Sequence, residues 1–162
     1  MKVIRNIAAI LLTALTFVSC KQLDDERIPY APVYIEMNAA QWDLYGVSGA
    51  GMSRRFIKSK LVPKGYPYNI AEETGFGGVL LVMNYYGDLQ AFDLACPVER
   101  RADIRVTIND ENNAECEVCG STYSVFENNG VPLSGPASKE GYGLQRFFVA
   151  RNIDTGTTRI SR

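Results

Sequence analysis

From Val79 onward the chain meets a turn signal every few residues, which restricts that stretch to short antiparallel strands. Residues 79–86 are an apolar run, Gly87-Asp88 is a two-residue hairpin turn, and residues 89–94 return. Ala102, Ile104, Val106 and Ile108 alternate with Asp103, Arg105 and Thr107, the cleanest period-two pattern in the chain, with one buried and one wet face. Residues 109–113 turn, and Ala114, Cys116 and Val118 then alternate with Glu115 and Glu117. Further strands are predicted over 122–126, closed by Asn128-Asn129-Gly130, over 144–150, and over 157–160 after Asp154-Thr155-Gly156. Upstream, residues 32–37 form a first strand with Val33, Ile35 and Met37 on one face, and residues 54–62 form a second. Residues 39–45 make a helical turn at most, because Gly46, Gly49 and Gly51 follow too soon. Residues 63–78 read as a long loop whose Gly75–Gly78 end signals flexibility. Eight or nine short strands without a helix predict an all-β fold, a small antiparallel β-sandwich or barrel over residues 32–162.

Composition narrows the chemistry by exclusion. The 162 residues contain no histidine, which removes the commonest general base, histidine-activated nucleophiles and every histidine-ligated metal site. A formal charge of -1 with no long basic run gives no nucleic-acid footprint. Phosphate-loop and dinucleotide fingerprints are absent. Trp42 with Tyr66, Tyr68, Tyr85 and Tyr86 would suit a sugar-stacking platform or, as the simpler reading, core and cross-strand pairs. Glu99-Arg100-Arg101 and Arg54-Arg55 read as solvated, and Asp110 and Glu111 fall in a turn.

Residues 1–19 carry Lys2 and Arg5 ahead of an apolar stretch over 7–18, the pattern of a signal peptide. The boundary Phe17-Val18-Ser19-Cys20 resembles the lipobox of bacterial lipoproteins, with Phe17 in place of the usual leucine. The resemblance implies cleavage before Cys20, acylation of Cys20 and stable membrane attachment through several acyl chains. Removing residues 1–19 takes away two basic groups and no acid, leaving 15 basic against 18 acidic residues. Residues 20–31, with Asp24-Asp25-Glu26-Arg27 and Pro29, read as a lipid-anchored tether. Lys21 followed by acids resembles the export tag of surface lipoproteins of the Bacteroides group, and reads equally as a solvated linker. The expected location is the cell envelope, facing the periplasm or exterior, where disulfides persist.

With Cys20 acylated, Cys96, Cys116 and Cys119 remain, an odd number that leaves one thiol over or places all three on a metal. Cys116-x-x-Cys119-Gly120 has the form of a metal knuckle: two thiolates on a tight turn, then a glycine that lets amides swing toward sulfur. No helix or βαβ pattern supports a thioredoxin-type redox pair. Cys96-x-Val98, seventeen intervening residues, Cys116-x-x-Cys119-Gly120-Ser121-x-Tyr123 and then Leu133-Ser134-Gly135-Pro136-Ala137 resemble a Rieske domain. That family's pattern is C-x-H, a comparable spacer, C-x-x-H-G-S-x-F and a Gly-Pro-Ala cover loop. The likeness spans residues 79–150 and implies a Rieske-like β fold with a cluster-binding loop subdomain, Gly135 and Pro136 lying in its cover loop.

The departures bear on function. In the family, two cysteines hold one iron and two histidines the other. Here Cys96 and Cys116 stand at the cysteine positions, Val98 at the first histidine and Cys119 at the second. Three readings follow. The first is a metal-free, degenerate site in which Cys96 forms a disulfide with Cys116 or Cys119, leaving one free thiol. The second is a 2Fe–2S electron carrier completed by a carboxylate, Glu99 being nearest, or by a partner chain. The third is a zinc site completed by Glu99, Glu115 or Glu117. The first predicts a non-catalytic envelope module, lipid-anchored through Cys20 and serving an envelope protein partner. A glycan-binding lipoprotein is a further alternative.

Overall fold

The computed structural model describes residues 22–162; the leader and Cys20 lie outside the described residues. The strands are β1 (Val33–Met37), β2 (Ser53–Phe56), β3 (Glu73–Thr74), β4 (Val79–Met83), β5 (Leu89–Asp93), β6 (Thr107–Ile108), β7 (Ala114–Glu115), β8 (Thr122–Ser124), β9 (Val131–Ser134), β10 (Arg146–Arg151) and β11 (Thr158–Ser161). Two short helices, α1 (Ala39–Tyr45) and α2 (Gly135–Glu140), join them. A seven-stranded sheet runs in the order β2-β4-β5-β10-β11-β1-β3, and a four-stranded sheet in the order β6-β7-β8-β9, with every pairing antiparallel. The all-β expectation holds.

β4 shows why an apolar run belongs here. Its Val79 and Leu81 enter one core with Ile35, Met37, Trp42, Phe56 and Ile160, while Leu80 and Val82 enter a second with Phe92, Leu94, Val106, Tyr123 and Leu144. A strand buried on both faces loses the apolar–polar alternation of a half-wet strand. The second core is shared between the two sheets, so burial of Phe92 and Tyr123 holds the small sheet on the large one. The free edges of the large sheet, β2 and β3, are drawn together by Lys58. Its N–H donates to Thr74 Oγ1 at 3.3 Å, and its ammonium donates to Glu72 O at 2.5 Å and lies 3.7 Å from Glu73.

Several sequence expectations are corrected. Residues 39–45 form a seven-residue α-helix, because Asn38 and Gln41 make a capping box: Asn38 Oδ1 accepts from Gln41 N at 2.9 Å, and Gln41 Oε1 accepts from Asn38 N at 3.0 Å. Gly46 stops that helix against Trp42, where a Cβ would come within 2.5 Å of the indole. The alternating stretch 102–108 is a strand only at Thr107–Ile108, because its upstream part braces the loop after β5 instead: Cys96 N donates to Ile104 O and Val106 N to Leu94 O. β2 ends at Phe56, where Lys58–Lys60 turns as a 3-10 helix. The β4–β5 hairpin turns over five residues, Asn84 Oδ1 accepting from both Tyr86 N and Asp88 N. The glycine segment before β4 is pinned: the Asp93 carboxylate accepts from Phe76 N at 3.1 Å, Gly77 N at 2.9 Å and Ala95 N at 2.7 Å.

The described part of the expected tether is docked on the domain. Asp24 N donates to Gly141 O and Gly143 N to Asp24 O, Ile28 is buried, and Arg146 pairs with Asp25 at 2.9 Å. The Arg27 guanidinium stacks 3.6 Å from the Tyr142 ring centroid, and its Nε donates to Pro97 O at 3.2 Å. The proposed aromatic platform is not assembled: Trp42 and Tyr66 are in the core, whereas Tyr85 and Tyr86 sit exposed on the hairpin.

Candidate metal centre

Two loops of the same construction meet at one end of the small sheet. In the first, Arg100 N donates to Cys96 O at 2.8 Å; in the second, Gly120 N donates to Cys116 O, also at 2.8 Å. The closing residue of each has positive φ, 54° for Arg100 and 67° for Gly120. That conformation costs glycine little and arginine more, so the first loop carries backbone strain the second avoids. Inside each turn two amides face sulfur: Val98 and Glu99 toward Cys96, Val118 and Cys119 toward Cys116. Each loop is thus a knuckle whose first residue presents a sulfur to the centre. Its fourth residue, Glu99 in one and Cys119 in the other, leaves the turn at the equivalent place.

The three thiols converge. Cys96, Cys116 and Cys119 place their sulfurs within 4.8 Å of one another, Cys96 and Cys116 buried and Cys119 half-buried. Cys96 Sγ stands 3.6 Å from Cys119 Sγ, far beyond the ~2.05 Å of a disulfide, and all three are free thiols. The pairing of Cys96 expected from the sequence is therefore not formed in this structure. Glu99, Glu115 and Glu117 do not join the group within that distance. Glu115 instead accepts from Asn109 Nδ2 at 2.9 Å.

Environment separates the three sulfurs. Burial pushes the Cys96 thiol up to about 12, against the amides of Glu99 and Val98 and the Tyr123 hydroxyl, which lower it. Burial also raises Cys116. Burial acts on Cys119 in the same direction but is outweighed by the Ser121 hydroxyl and amide and the neighbouring thiols, so its net shift is downward. Cys119 is therefore the sulfur that ionises most readily. Two hydroxyls complete the shell. Tyr123 Oη lies 3.7 Å from Cys96 Sγ, and Ser121 Oγ lies 3.2 Å from Cys119 Sγ while accepting from Ala137 N at 3.1 Å. Both fall inside the motif already singled out, although no role for them follows from it.

The cover loop is a helix over most of its length. Gly135 has φ 73°, and a Cβ there would fall 2.8 Å from Ser121 Cα and 3.0 Å from Gly120 O. Glycine thus lets α2 close directly onto the second knuckle, with Pro136 in its first turn. Val98 packs against the shared core. Arg27, placed in the tether by sequence, bears on the first knuckle through Pro97 O, and Arg100 Nε donates to Arg27 O at 3.0 Å.

No family model and no curated protein matches this chain. Among solved structures, one described as an NADH-dependent nitrite reductase small subunit from Mycobacterium tuberculosis aligns with a TM-score of 0.44 and 13% identity, covering 82% of this chain and 96% of that one. The all-β assignment stands on the sheet topology itself.

Proposed function

We propose that this protein is a non-catalytic, lipid-anchored envelope module on a Rieske-like layout, whose tip has exchanged the two-iron cluster for a three-thiol site. The observation that carries the reading is the position of Cys119. On the Rieske layout it stands at the second histidine position, which would serve a different iron from the one that Cys96 and Cys116 would hold. Here its sulfur is 3.6 Å from that of Cys96, close enough to share one atom with it. Val98 offers nothing to a second iron and is packed inward. The absence of histidine leaves no route to the family's mixed ligation or its raised potential.

Anchoring at Cys20 fits the docked segment. From residue 20 to Asp24 is four residues, at most about 14 Å of extended chain. Asp24 and Arg27 are held against Gly141, Gly143, Tyr142 and Pro97, beside the thiol tip. A lipid on Cys20 would hold that tip near the headgroups, so its envelope partner is met at the membrane surface.

Protein purified anaerobically in detergent should contain less than one iron per ten chains, no acid-labile sulfide and no visible charge-transfer colour. Two irons and two sulfides per chain would overturn the reading and restore an electron carrier. Cys20→Ser should release the protein from membranes; retention of that variant in the detergent-sensitive fraction would overturn the anchor.

A further inference from the structure

The two knuckles match residue for residue in their backbone, and that correspondence has a consequence for Glu99. Each is closed by a bond from its fifth residue to the cysteine carbonyl, with positive φ at that fifth residue. Each turns the amides of its third and fourth residues to sulfur. In the second knuckle the fourth residue, Cys119, delivers its side chain to the group of thiols. The first knuckle launches the side chain of Glu99 from the same place in its turn. Glu99 is half-buried and forms no ion pair within 4.0 Å among the described residues.

We propose that the tip binds one divalent ion of the zinc class, held by Cys96, Cys116, Cys119 and, on binding, Glu99. This deepens the three-thiol reading above by naming what the thiols take. The size is right: thiolates about 2.3 Å from a common tetrahedral centre lie about 3.8 Å apart, close to the 3.6 Å between Cys96 and Cys119. The donor set is right as well. Soft sulfur donors exclude magnesium and calcium, which take oxygen, and zinc accepts a carboxylate beside thiolates. Three thiolates and a carboxylate around a divalent ion leave a net negative charge in a largely buried place. The four knuckle amides, the Ser121 amide and the hydroxyls of Ser121 and Tyr123 face that charge. Binding releases the thiol protons to solvent and changes no oxidation state.

The probe is cobalt(II), which takes zinc sites and reports geometry through its absorption. Reduced, metal-free full-length protein in detergent, titrated anaerobically, should take up one cobalt per chain. The expected spectrum has intense tetrahedral d–d bands and thiolate-to-metal charge transfer, and one equivalent of zinc should abolish both. Loaded protein should resist alkylation at Cys96, Cys116 and Cys119 together. Glu99→Gln, which replaces a charged oxygen ligand with a neutral one, should weaken binding by about 10-fold or more, at least as much as losing an outer-shell partner would, while the charge-transfer band persists. Lack of uptake with three reduced thiols would overturn the proposal. So would octahedral cobalt, a thiol that still alkylates in the loaded protein, or a Glu99→Gln variant that binds like the parent. Because alkylation is read on the parent protein, misfolding of a variant does not blur the result. Failure here with iron and sulfide absent leaves the three-thiol reading standing; two irons per chain removes both.

Discussion

The two sheets are held in shape by different means. In the large sheet, β4 and β5 pair over five residues, β1 and β11 over four, and β10 and β11 over four, with closed cores behind them. In the small sheet, β6, β7 and β8 pair over two residues at a time. Beyond the shared core, what shapes the tip of the small sheet is its loops: two carbonyl-closed knuckles, the Ser121 hydroxyl on Ala137 N, and a cover helix that needs glycine to approach. One region gets its geometry from ladder and burial; the other sits on the core the two sheets share and gets the shape of its tip from individually placed hydrogen bonds. Damage to the first should therefore unfold the protein, whereas damage to the second should change the site in a protein that stays folded.

The largest expected effect tests the first half of that contrast. Leu81 is fully buried in the large-sheet core, and Leu81→Ala should cost about 2–5 kcal/mol in urea unfolding. The fraction that remains folded should keep all three thiols accessible to cobalt. Metal uptake lost ahead of global unfolding would show that the two regions are not separable.

Asp93 joins the regions, since its buried carboxylate holds two amides before β4 and the amide of Ala95, next to Cys96. Asp93→Ala should cost about 1–3 kcal/mol in all, because water entering the space left by the carboxylate can meet the freed amides, and should also weaken cobalt uptake. A loss of stability with unchanged uptake would mean that the first knuckle does not depend on this anchor.

At the tip, Gly135→Ala places a Cβ against Ser121 and Gly120 backbone at positive φ. About 1–3 kcal/mol is expected, together with faster alkylation of Cys119 as the cover helix lifts. A normal alkylation rate would show that the helix is not what shields the sulfur.

The smallest effect is on the surface of the large sheet. The hydrogen bonds of Arg159 and then Tyr34 hold the Glu36 carboxyl below its ordinary 4.5. A carboxyl lowered in the fold stabilises it above the unfolded pKa, and that stabilisation is lost as pH falls through the folded value. Tm should decline slightly more between pH 5 and 3 in the parent than in Arg159→Gln; identical slopes would show that the pair adds nothing.

The same contrast explains what the sequence made legible. Val33, Ile35 and Met37 alternate because β1 pairs along its length, so period and position agree. The 102–108 stretch alternates as cleanly, yet Ile104 O accepts from Cys96 N and most of the segment serves a loop. Only Val106 of the expected inner face is buried there; Ala102, Ile104 and Ile108 are half-buried, as are Arg105 and Thr107 of the expected wet face, so neither burial nor the ladder follows the pattern throughout. The helix at residues 39–45 was hidden by its glycines, although the Asn38–Gln41 capping pair was present to be read. At the tip, the three cysteines, Gly135 and Pro136 were visible as motif and do come together. Two things were not. The docking of Asp24 and Arg27 is a long-range event that no local composition encodes. The likeness of the two knuckles lies in the φ of Arg100, a residue type that rarely advertises a left-handed turn.

The most direct test of the account is X-ray absorption at the metal edge of the zinc- or cobalt-loaded protein. One ion per chain should show three sulfur neighbours at about 2.3 Å and one oxygen at about 2.0–2.2 Å, with no metal–metal scattering. A metal–metal shell, or only two protein sulfurs on the metal, would contradict a single ion held by three thiolates at this tip.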